Sequence, residues 1–233
     1  MTKKNRTHKE NGQGVIEYAL IAAGVAVVTI LILSMMGVSV QSVYCQAITG
    51  LGGSGCGCSS TFDDPGELDT WTGGNKDGNL TIEDGQICNA GSKKTYMNAC
   101  TSDFGTSDFT ADLNGISIEK TGSGNTGYDF MFRSPDEKNG YQFTYNSKTN
   151  IFRFWKRVNG RWILLETTNV PSEWGSQPLD VQLKVEGDTF SAYKDGELII
   201  QASDDTFTEG QYGIRNKPGS KTCFDEIDVQ QNP

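Results

Sequence analysis

Two tryptophans and an arginine around one short turn are the residues best suited to binding a ligand. Trp155 and Trp162 flank the Asn-Gly turn at 158–161, and Arg153 stands two residues before the first tryptophan. Exposed aromatic faces beside polar side chains are common where proteins bind carbohydrates. The alternative is that one or both indoles fill the hydrophobic core. The pattern predicts a candidate ligand surface at Trp155, Trp162 and Arg153, with surface glycans as its partner, and leaves the core alternative open.

The chain offers few groups for catalysis. Its one histidine, His8, stands near the N-terminus, which excludes Ser-His and Cys-His catalysis in the rest of the chain. Hydrolysis of a glycosidic bond needs two carboxylates that flank the bond. The nearest pair, Glu226 and Asp228, points to one face of a strand-like stretch near the C-terminus. A solvated strand face accounts better for this pair, so we expect that the protein is not an enzyme and carries no organic cofactor.

The 6 cysteines predict a disulfide framework, because an even number of cysteines on the exported side of a membrane is typical of oxidised proteins. Cys88 and Cys100 bracket a polar loop between two strand-like stretches. Facing residues on neighbouring antiparallel strands have Cα atoms about 4.5–5.5 Å apart, close to the separation of about 5.5–6 Å in disulfides. This geometry predicts a Cys88–Cys100 bond. A zinc site fits less well, because the Cys-Gly-Cys stretch at 56–58 lacks the usual ligand spacing.

A long apolar segment precedes these candidate residues. Residues 19–40 contain neither a charge nor a proline, and as a helix they would extend about 33 Å, enough to cross a bilayer core of about 30 Å. The basic residues of segment 1–12 predict that the N-terminus stays cytoplasmic. A secretory signal peptide is the alternative, but its apolar region would be shorter. Glu17 and Tyr18 stand at the start of this run, where an ionisable side chain is costly without a partner.

The stretch GQGVIEYALIA, residues 12–22, resembles the N-terminus of Flp-type pilins, a branch of the type IV pilin superfamily. The resemblance implies that a prepilin peptidase cuts after Gly12, which makes Gln13 the new N-terminus, Glu17 the fifth residue and Tyr18 the sixth. It also implies a subunit that polymerises with copies of itself by means of the pilus assembly machinery in the inner membrane. Glu17 would then pair with the N-terminal amine of a neighbouring subunit. Such a protein is a membrane precursor first and part of an extracellular pilus on the cell surface afterwards.

The remainder of the chain consists of a Gly/Ser/Cys linker at 48–61 and a body at 62–233 that has the pattern of an all-β domain. Short runs such as IFRFWKRV and LDVQLKVEG alternate apolar and polar residues, as half-buried antiparallel strands do. Asn159-Gly160 and Asp195-Gly196 are typical of tight hairpin turns. The many short strands predict a jelly-roll sandwich.

The order of stretches FDDPGELDTW, GYDFMFRS, PLDVQLKVEGDTFSAYKDGELI, GQYGIRN and FDEIDV resembles that of laminin-G-like, concanavalin A-like sandwiches. In that fold the first and last strands are neighbours, which implies a Cys58–Cys223 bond and leaves Cys45 for Cys56. The resemblance also implies a candidate calcium site at Asp63 and Asp225. A second calcium candidate, the loop at 73–84, lacks a side chain at its first ligand position and is better interpreted as a polar turn.

The predicted organisation is therefore a basic leader at 1–12, a transmembrane and filament-assembly helix at 13–47, the linker, and the sandwich. The formal net charge of -9, concentrated in the body, argues against nucleic acid as a partner. We expect a structural subunit of a bacterial surface pilus whose sandwich decorates the filament exterior for adhesion. The alternatives are a minor pilin or pseudopilin, and a membrane-anchored adhesin or lectin that does not polymerise.

Overall fold

A computed structural model describes residue 25 and the ranges 57–72, 79–90, 95–98, 108–175 and 178–232. The chain divides into two compact units, Met1–Ala47 and Ile48–Pro233. In the first unit the one described residue, Val25, is helical. The predicted helix at 13–47 and its residues Gly12, Gln13, Glu17 and Tyr18 otherwise lie outside the described residues. Within the described ranges, no helix has the length and apolar character needed to cross a membrane.

The second unit is a β-sandwich, and this confirms the all-β prediction. Its described strands are β1 (Gly57–Ser60), β2 (Trp71–Thr72), β3 (Leu80–Glu83), β4 (Gln86–Ala90), β5 (Thr95–Asn98), β6 (Phe109–Lys120), β7 (Gly127–Asp136), β8 (Asn139–Asn146), β9 (Ile151–Val158), β10 (Arg161–Asn169), β11 (Leu179–Glu186), β12 (Thr189–Lys194), β13 (Glu197–Ser203), β14 (Gln211–Asn216), β15 (Ser220–Phe224) and β16 (Glu226–Gln231). Two short 3-10 helices, Pro65–Thr70 and Ser172–Gly175, lie in the connections.

The strands form two antiparallel sheets. A seven-stranded sheet has the order β10-β9-β8-β7-β14-β5-β2. A nine-stranded sheet has the order β13-β12-β11-β6-β15-β4-β3, with β16 paired to both β6 and β1. Because β1 occupies residues 57–60 of the segment 48–61 predicted as a linker, that segment contains a strand, which pairs with β16.

Alternating side chains build the core between the sheets. Leu179, Val181, Leu183 and Val185 are buried on β11, while the residues between them are exposed or half-buried. The seven-stranded sheet contributes mainly aromatic rings to the core: Tyr128, Phe130, Phe132, Tyr141, Phe143, Tyr145, Phe152, Phe154 and Tyr212. Burying such large apolar surfaces is the main favourable contribution to folding.

The two predicted hairpin turns are confirmed. Asn159 and Gly160 have φ values of 50° and 80°, and Asp195 and Gly196 have φ values of 52° and 80°. Positive φ at both central residues defines the turn type that matches the twist of antiparallel strands, and it favours Asn-Gly and Asp-Gly. The first turn connects β9 to β10 and so places Trp155 and Trp162 on adjacent strands.

The disulfides differ from the predicted ones. Cys88 is bonded to Cys223, with 4.0 Å between their Cα atoms, so the predicted Cys88–Cys100 and Cys58–Cys223 bonds are wrong. The reason is the topology: β4 pairs with β15, which places Cys88 directly opposite Cys223. The first described strand does lie beside the last, as the resemblance implied, but the register sets Cys58 opposite Val229. Cys58 also takes part in a disulfide. Cys45, Cys56 and Cys100 lie outside the described residues.

Candidate functional site

The candidate site is the outer face of the seven-stranded sheet, which is the face turned away from the core. On β7, β8 and β9 its residues alternate with the buried aromatic rings, and β10 and β14 add one residue each to the following set: Asp129, Gln142, Thr144, Arg153, Trp155, Arg157, Trp162 and Arg215. On β9, for example, Phe152 and Phe154 are buried while Arg153, Trp155 and Arg157 are half-buried. A strand of period two therefore supplies the core from one set of residues and the outer face from the other.

The structure brings the predicted ligand residues together on this face. Trp155 lies opposite Gln142 of β8 and Leu164 of β10, and Arg153 lies opposite Thr144 of β8. Trp162 is 37% exposed, and Leu164 beside it is also exposed. Neither Trp155 nor Trp162 belongs to the hydrophobic core, unlike Trp71, which is buried. The assignment of a ligand to these residues stays a prediction.

The ring of Trp162 interacts with two arginines. The guanidinium carbon of Arg157, on the neighbouring strand, lies 4.7 Å from the ring centroid, and that of Arg215, on β14, lies 5.6 Å from it. Cations over an aromatic face are attracted by the ring quadrupole. Burial lowers the pKa of Arg157, and the nearby positive charge of Arg215 lowers it further. Trp162 thus reaches from the edge strand β10 to a side chain of β14 and fixes both arginines beside itself.

A buried carboxylate lies on the same face. The side chain of Asp129 is 2% exposed; it is ion-paired with Lys217, and a nitrogen of Arg215 lies 3.9 Å from one of its oxygens. Arg215 is also the direct cross-strand partner of Asp129. An unpaired buried charge is costly, so the positive charges of Lys217 and Arg215 stabilise the buried carboxylate of Asp129. Asp129 in turn orients Arg215, which contacts Trp162.

Two further polar atoms of the outer face are buried without a hydrogen-bond partner in the described part of the chain. They are Oε1 of Gln142 and Nε of Arg157. The amide nitrogen of Gln142 donates to Oγ1 of Thr144 at 3.2 Å, so the orientation of the amide leaves its oxygen as the open group. Buried polar atoms are normally paired by protein or solvent. The oxygen of Gln142 can accept a hydrogen bond and Nε of Arg157 can donate one, on the face that holds the two indole rings. A sugar hydroxyl both donates and accepts, so it could pair with either atom.

Several residues on or next to this face were not predicted from the sequence, namely Asp129, Gln142, Arg215 and Lys217. Asp129 had one recognisable signal: it is a single acidic residue between aromatic residues in the stretch GYDFMFRS. A charge in an apolar strand needs a partner, and that requirement could have directed attention to it. Arg215 on β14 and Lys217 just after that strand are remote from Asp129 in sequence, and no local pattern connects them to it.

The carboxylates considered for catalysis and for calcium lie elsewhere. Glu226 accepts a hydrogen bond from Asn114 at 2.9 Å, and Asp228 accepts one from Gln230 at 2.7 Å, both on the nine-stranded sheet. Asp225 accepts a hydrogen bond from the side-chain amide of Gln86. Among the described residues, no group of three or more His, Cys, Asp or Glu side chains is placed to hold a metal ion, and the implied calcium site at Asp63 and Asp225 stays a prediction.

Comparison with known proteins finds no family model that matches the chain. The chain is 36% identical over 109 residues to the levanase of Bacillus subtilis (strain 168), a stretch that covers 46% of this chain and 16% of the levanase. The match is therefore to a small part of that protein. Among solved structures, the carbohydrate-binding module CBM66 from Bacillus subtilis is 28% identical, with a TM-score of 0.48, over 70% of this chain and 92% of the module.

A prokaryotic β-1,3-1,4-glucanase (lichenase) derived from a mouse hindgut metagenome aligns with a TM-score of 0.57 over 76% of this chain and 99% of the enzyme. At 12% identity, this likeness shows a shared β-sandwich fold. The glucanase structure thus agrees with the observed architecture.

These findings overturn the pilin interpretation. The sequence similarity is to a levanase, and the glucanase structure shares the β-sandwich fold of this chain. The predictions of a Flp-type pilin, of a pilus subunit, and of the prepilin peptidase and pilus assembly machinery as partners are therefore wrong. The resemblance on which they were based covered a short N-terminal stretch, whereas the similarity to the levanase covers 109 residues. The prediction of surface glycans as a partner stays a prediction.

Proposed function

We propose that this chain is a carbohydrate-binding protein of the lectin type, and that the outer face of the seven-stranded sheet holds the sugar. The observation that carries the proposal is the contact of Trp162 with Arg157 and Arg215 on a face that also holds Trp155 and the open oxygen of Gln142. An aromatic ring stacks on the apolar side of a sugar ring, while fixed donors and acceptors select its hydroxyl groups. The arginines hold the indole in place before any ligand arrives, which reduces the entropy cost of binding.

The similarity to levanase supports levan as the first ligand to test. Levan is the polymer on which a levanase acts, and the similarity extends over 109 residues of this chain. The two indoles lie on neighbouring strands, so the apolar platform extends across more than one residue of the sheet. The finer assignment of the fold as laminin-G-like or concanavalin A-like belongs to the same proposal.

Binding without hydrolysis is also part of the proposal. A glycosidase needs two carboxylates placed on either side of the bond, and one must be protonated to act as an acid. On the outer face, the carboxylate of Asp129 is neutralised by Lys217 and is 2% exposed. This carboxylate is therefore occupied by a structural ion pair and is not accessible to a bound sugar. We therefore expect no release of reducing ends when the protein is incubated with levan.

The proposal is tested by affinity electrophoresis of the full chain in gels that contain levan, a fructose polymer, or dextran, a glucose polymer. Levan should retard the protein and dextran should not. Trp162→Ala should weaken levan binding at least about tenfold, as expected for an aromatic anchor. The matched control is Leu198→Ala, because Leu198 is an exposed apolar residue, at 53%, on the other sheet. Equal mobility of wild type in both gels and in a plain gel, or equal loss in both variants, would contradict the proposal.

A further inference from the structure

A polar cleft lies at one end of the sandwich, apart from the outer face. It has a volume of about 440 Å³ and is bordered by the β6–β7 connection, the β8–β9 turn and the 3-10 helix Ser172–Gly175. Small-molecule sites usually occupy about 300–1,000 Å³, so the cleft has room for a monosaccharide unit. Its polar lining residues include Lys120, Ser123, Thr126, Lys148, Asn150 and Ser172.

The charge of this cleft is unlike that of the chain as a whole. The formal net charge of the chain is -9, yet the residues that line the cleft include two lysines and neither an aspartate nor a glutamate. Five described lysines are ion-paired with carboxylates: Lys156, Lys184, Lys194, Lys217 and Lys221. The ammonium groups of Lys120 and Lys148 form no ion pair within the described ranges, and both border the cleft. Two uncompensated positive charges at a concave site attract anions.

The neutral residues of the cleft also present donors. The hydroxyl of Ser147 donates to Oγ1 of Thr126 at 2.7 Å, which leaves the Thr126 hydroxyl hydrogen as a donor. The hydroxyl of Tyr145 reaches Oδ1 of Asn150 at 3.4 Å, so the acceptor end of that amide is engaged and its NH2 end is the open one. Hydroxyl and amide groups such as these can bind sugar hydroxyls, while ammonium groups bind carboxylate or phosphate oxygens.

The wall of the cleft is held in place by the backbone. The amides of Thr121 and Gly122 both donate to the carbonyl of Gly219, at 2.8 and 3.2 Å, and the Gly219 amide donates to the carbonyl of Asn125 at 3.0 Å. On the opposite side, the Ser147 amide donates to the carbonyl of Thr126 at 3.0 Å. These bonds fix the β6–β7 connection, so the cleft does not need to form when a ligand arrives.

We propose that this cleft is a second binding site, and that it takes an anionic sugar, meaning a monosaccharide unit that carries a carboxylate or a phosphate. The two lysines bind the anionic group, and the hydroxyl and amide groups bind the sugar hydroxyls. The cleft is too large for one inorganic anion, and its two ammonium groups disfavour a cationic ligand. The site is separate from the outer face and goes beyond the binding of a neutral polysaccharide there.

The test is isothermal titration calorimetry of the full chain with galacturonate, glucose 6-phosphate, glucose and inorganic phosphate. Galacturonate or glucose 6-phosphate should bind more tightly than glucose and inorganic phosphate, and binding should weaken as salt is added. Whichever of the two anionic sugars binds identifies the anionic group. If glucose or inorganic phosphate binds as well as both anionic sugars, or if none of the four binds, the proposal is overturned.

The variants Lys120→Gln and Lys148→Gln should each weaken binding of the anionic sugar about threefold, in line with exposed charge pairs. Lys138→Gln is the matched control, because Lys138 also has no ion pair in the described part but does not line the cleft. Equal weakening by Lys138→Gln would indicate non-specific attraction and would contradict the site. Retardation by levan should be the same in Lys120→Gln and Lys148→Gln as in wild type, so a failure of this proposal remains distinct from a failure of the neutral-sugar site.

Discussion

The carboxylate of Asp129 on β7 is ion-paired with the ammonium of Lys217, which follows β14, and this pair lies under the outer face of the seven-stranded sheet. The side chain of Asp129 is 2% exposed and that of Lys217 is 18% exposed. Arg215, on the same strand end, is 3.9 Å from the second oxygen of Asp129 and also contacts the ring of Trp162. The ion pair thus connects the interior of the sheet to the aromatic group at its surface.

Asp129→Asn should destabilise the sandwich by about 3 kcal/mol, because removing one partner of a buried pair leaves the other charge uncompensated. Urea unfolding followed by tryptophan fluorescence measures this change, since Trp71, Trp155, Trp162 and Trp174 all belong to the second unit. The control is Asp195→Asn. Asp195 is also ion-paired, with Lys194, but its side chain is 76% exposed, so the loss should stay below about 1 kcal/mol. Equal losses of unfolding free energy in the two variants would show that the buried ion pair of Asp129 stabilises the fold no more than an exposed one.

The Cys88–Cys223 bond joins residues that are 135 positions apart. Replacing both cysteines by serine should lower the free energy of unfolding by about 3 kcal/mol, because the bond restricts the unfolded chain. Peptide mapping without reduction should recover one cross-linked peptide pair that contains Cys88 and Cys223. A peptide pair that links Cys88 to Cys100 instead would contradict the observed pairing of β4 with β15.

The interaction of Asp204 with Tyr141 and Lys156 predicts a dependence of stability on pH. Burial raises the pKa of Asp204, but hydrogen bonds from Lys156, Thr206 and Tyr141 outweigh it and lower the pKa from 3.8 to about 2. Because the folded-state pKa is the lower one, this contribution to stability is present above pH 3.8 and is lost as the pH falls through about 2. Stability of the wild type should therefore decline over this interval more steeply than stability of Asp204→Asn.

Urea unfolding at a series of pH values measures this difference. Asp205→Asn is the matched control, because the neighbouring Asp205 forms no hydrogen bond or ion pair within the described ranges, so the variant should keep the steep decline of the wild type. If Asp204→Asn declines as steeply as Asp205→Asn, the hydrogen bonds of Asp204 do not stabilise the fold.

Local sequence patterns were sufficient to predict the hairpin that carries Trp155 and Trp162. The alternation in IFRFWKRV predicts β9, and Asn159-Gly160 predicts the turn, because both depend on residues close together in the chain. The same reasoning gave an incorrect bond for Cys88. It assumed pairing between neighbouring stretches, whereas β4 pairs with β15 from the far end of the chain.

The rest of the candidate site depends on such remote pairings. Asp129 and Arg215 face each other because β7 pairs with β14, and a long stretch of chain with many strands separates the two. Register between strands remote in sequence is set by packing of the whole sandwich, and no short pattern specifies it. The sequence therefore predicted the aromatic residues of the outer face, while its charged centre became visible only in the folded structure.

Binding of a sugar on the outer face of the seven-stranded sheet would change the indole N–H signals of tryptophans on that face, and the chain has four tryptophans. Two of them, Trp155 and Trp162, lie on that face. Trp71 is buried in the core, and Trp174 is partly buried and packs against the core near Phe152. In a nuclear magnetic resonance titration of the full chain with levan oligosaccharides, the signals of Trp155 and Trp162 should shift and saturate, while those of Trp71 and Trp174 stay in place. Shifts confined to Trp71 and Trp174, or no shift at any of the four, would contradict binding on this face.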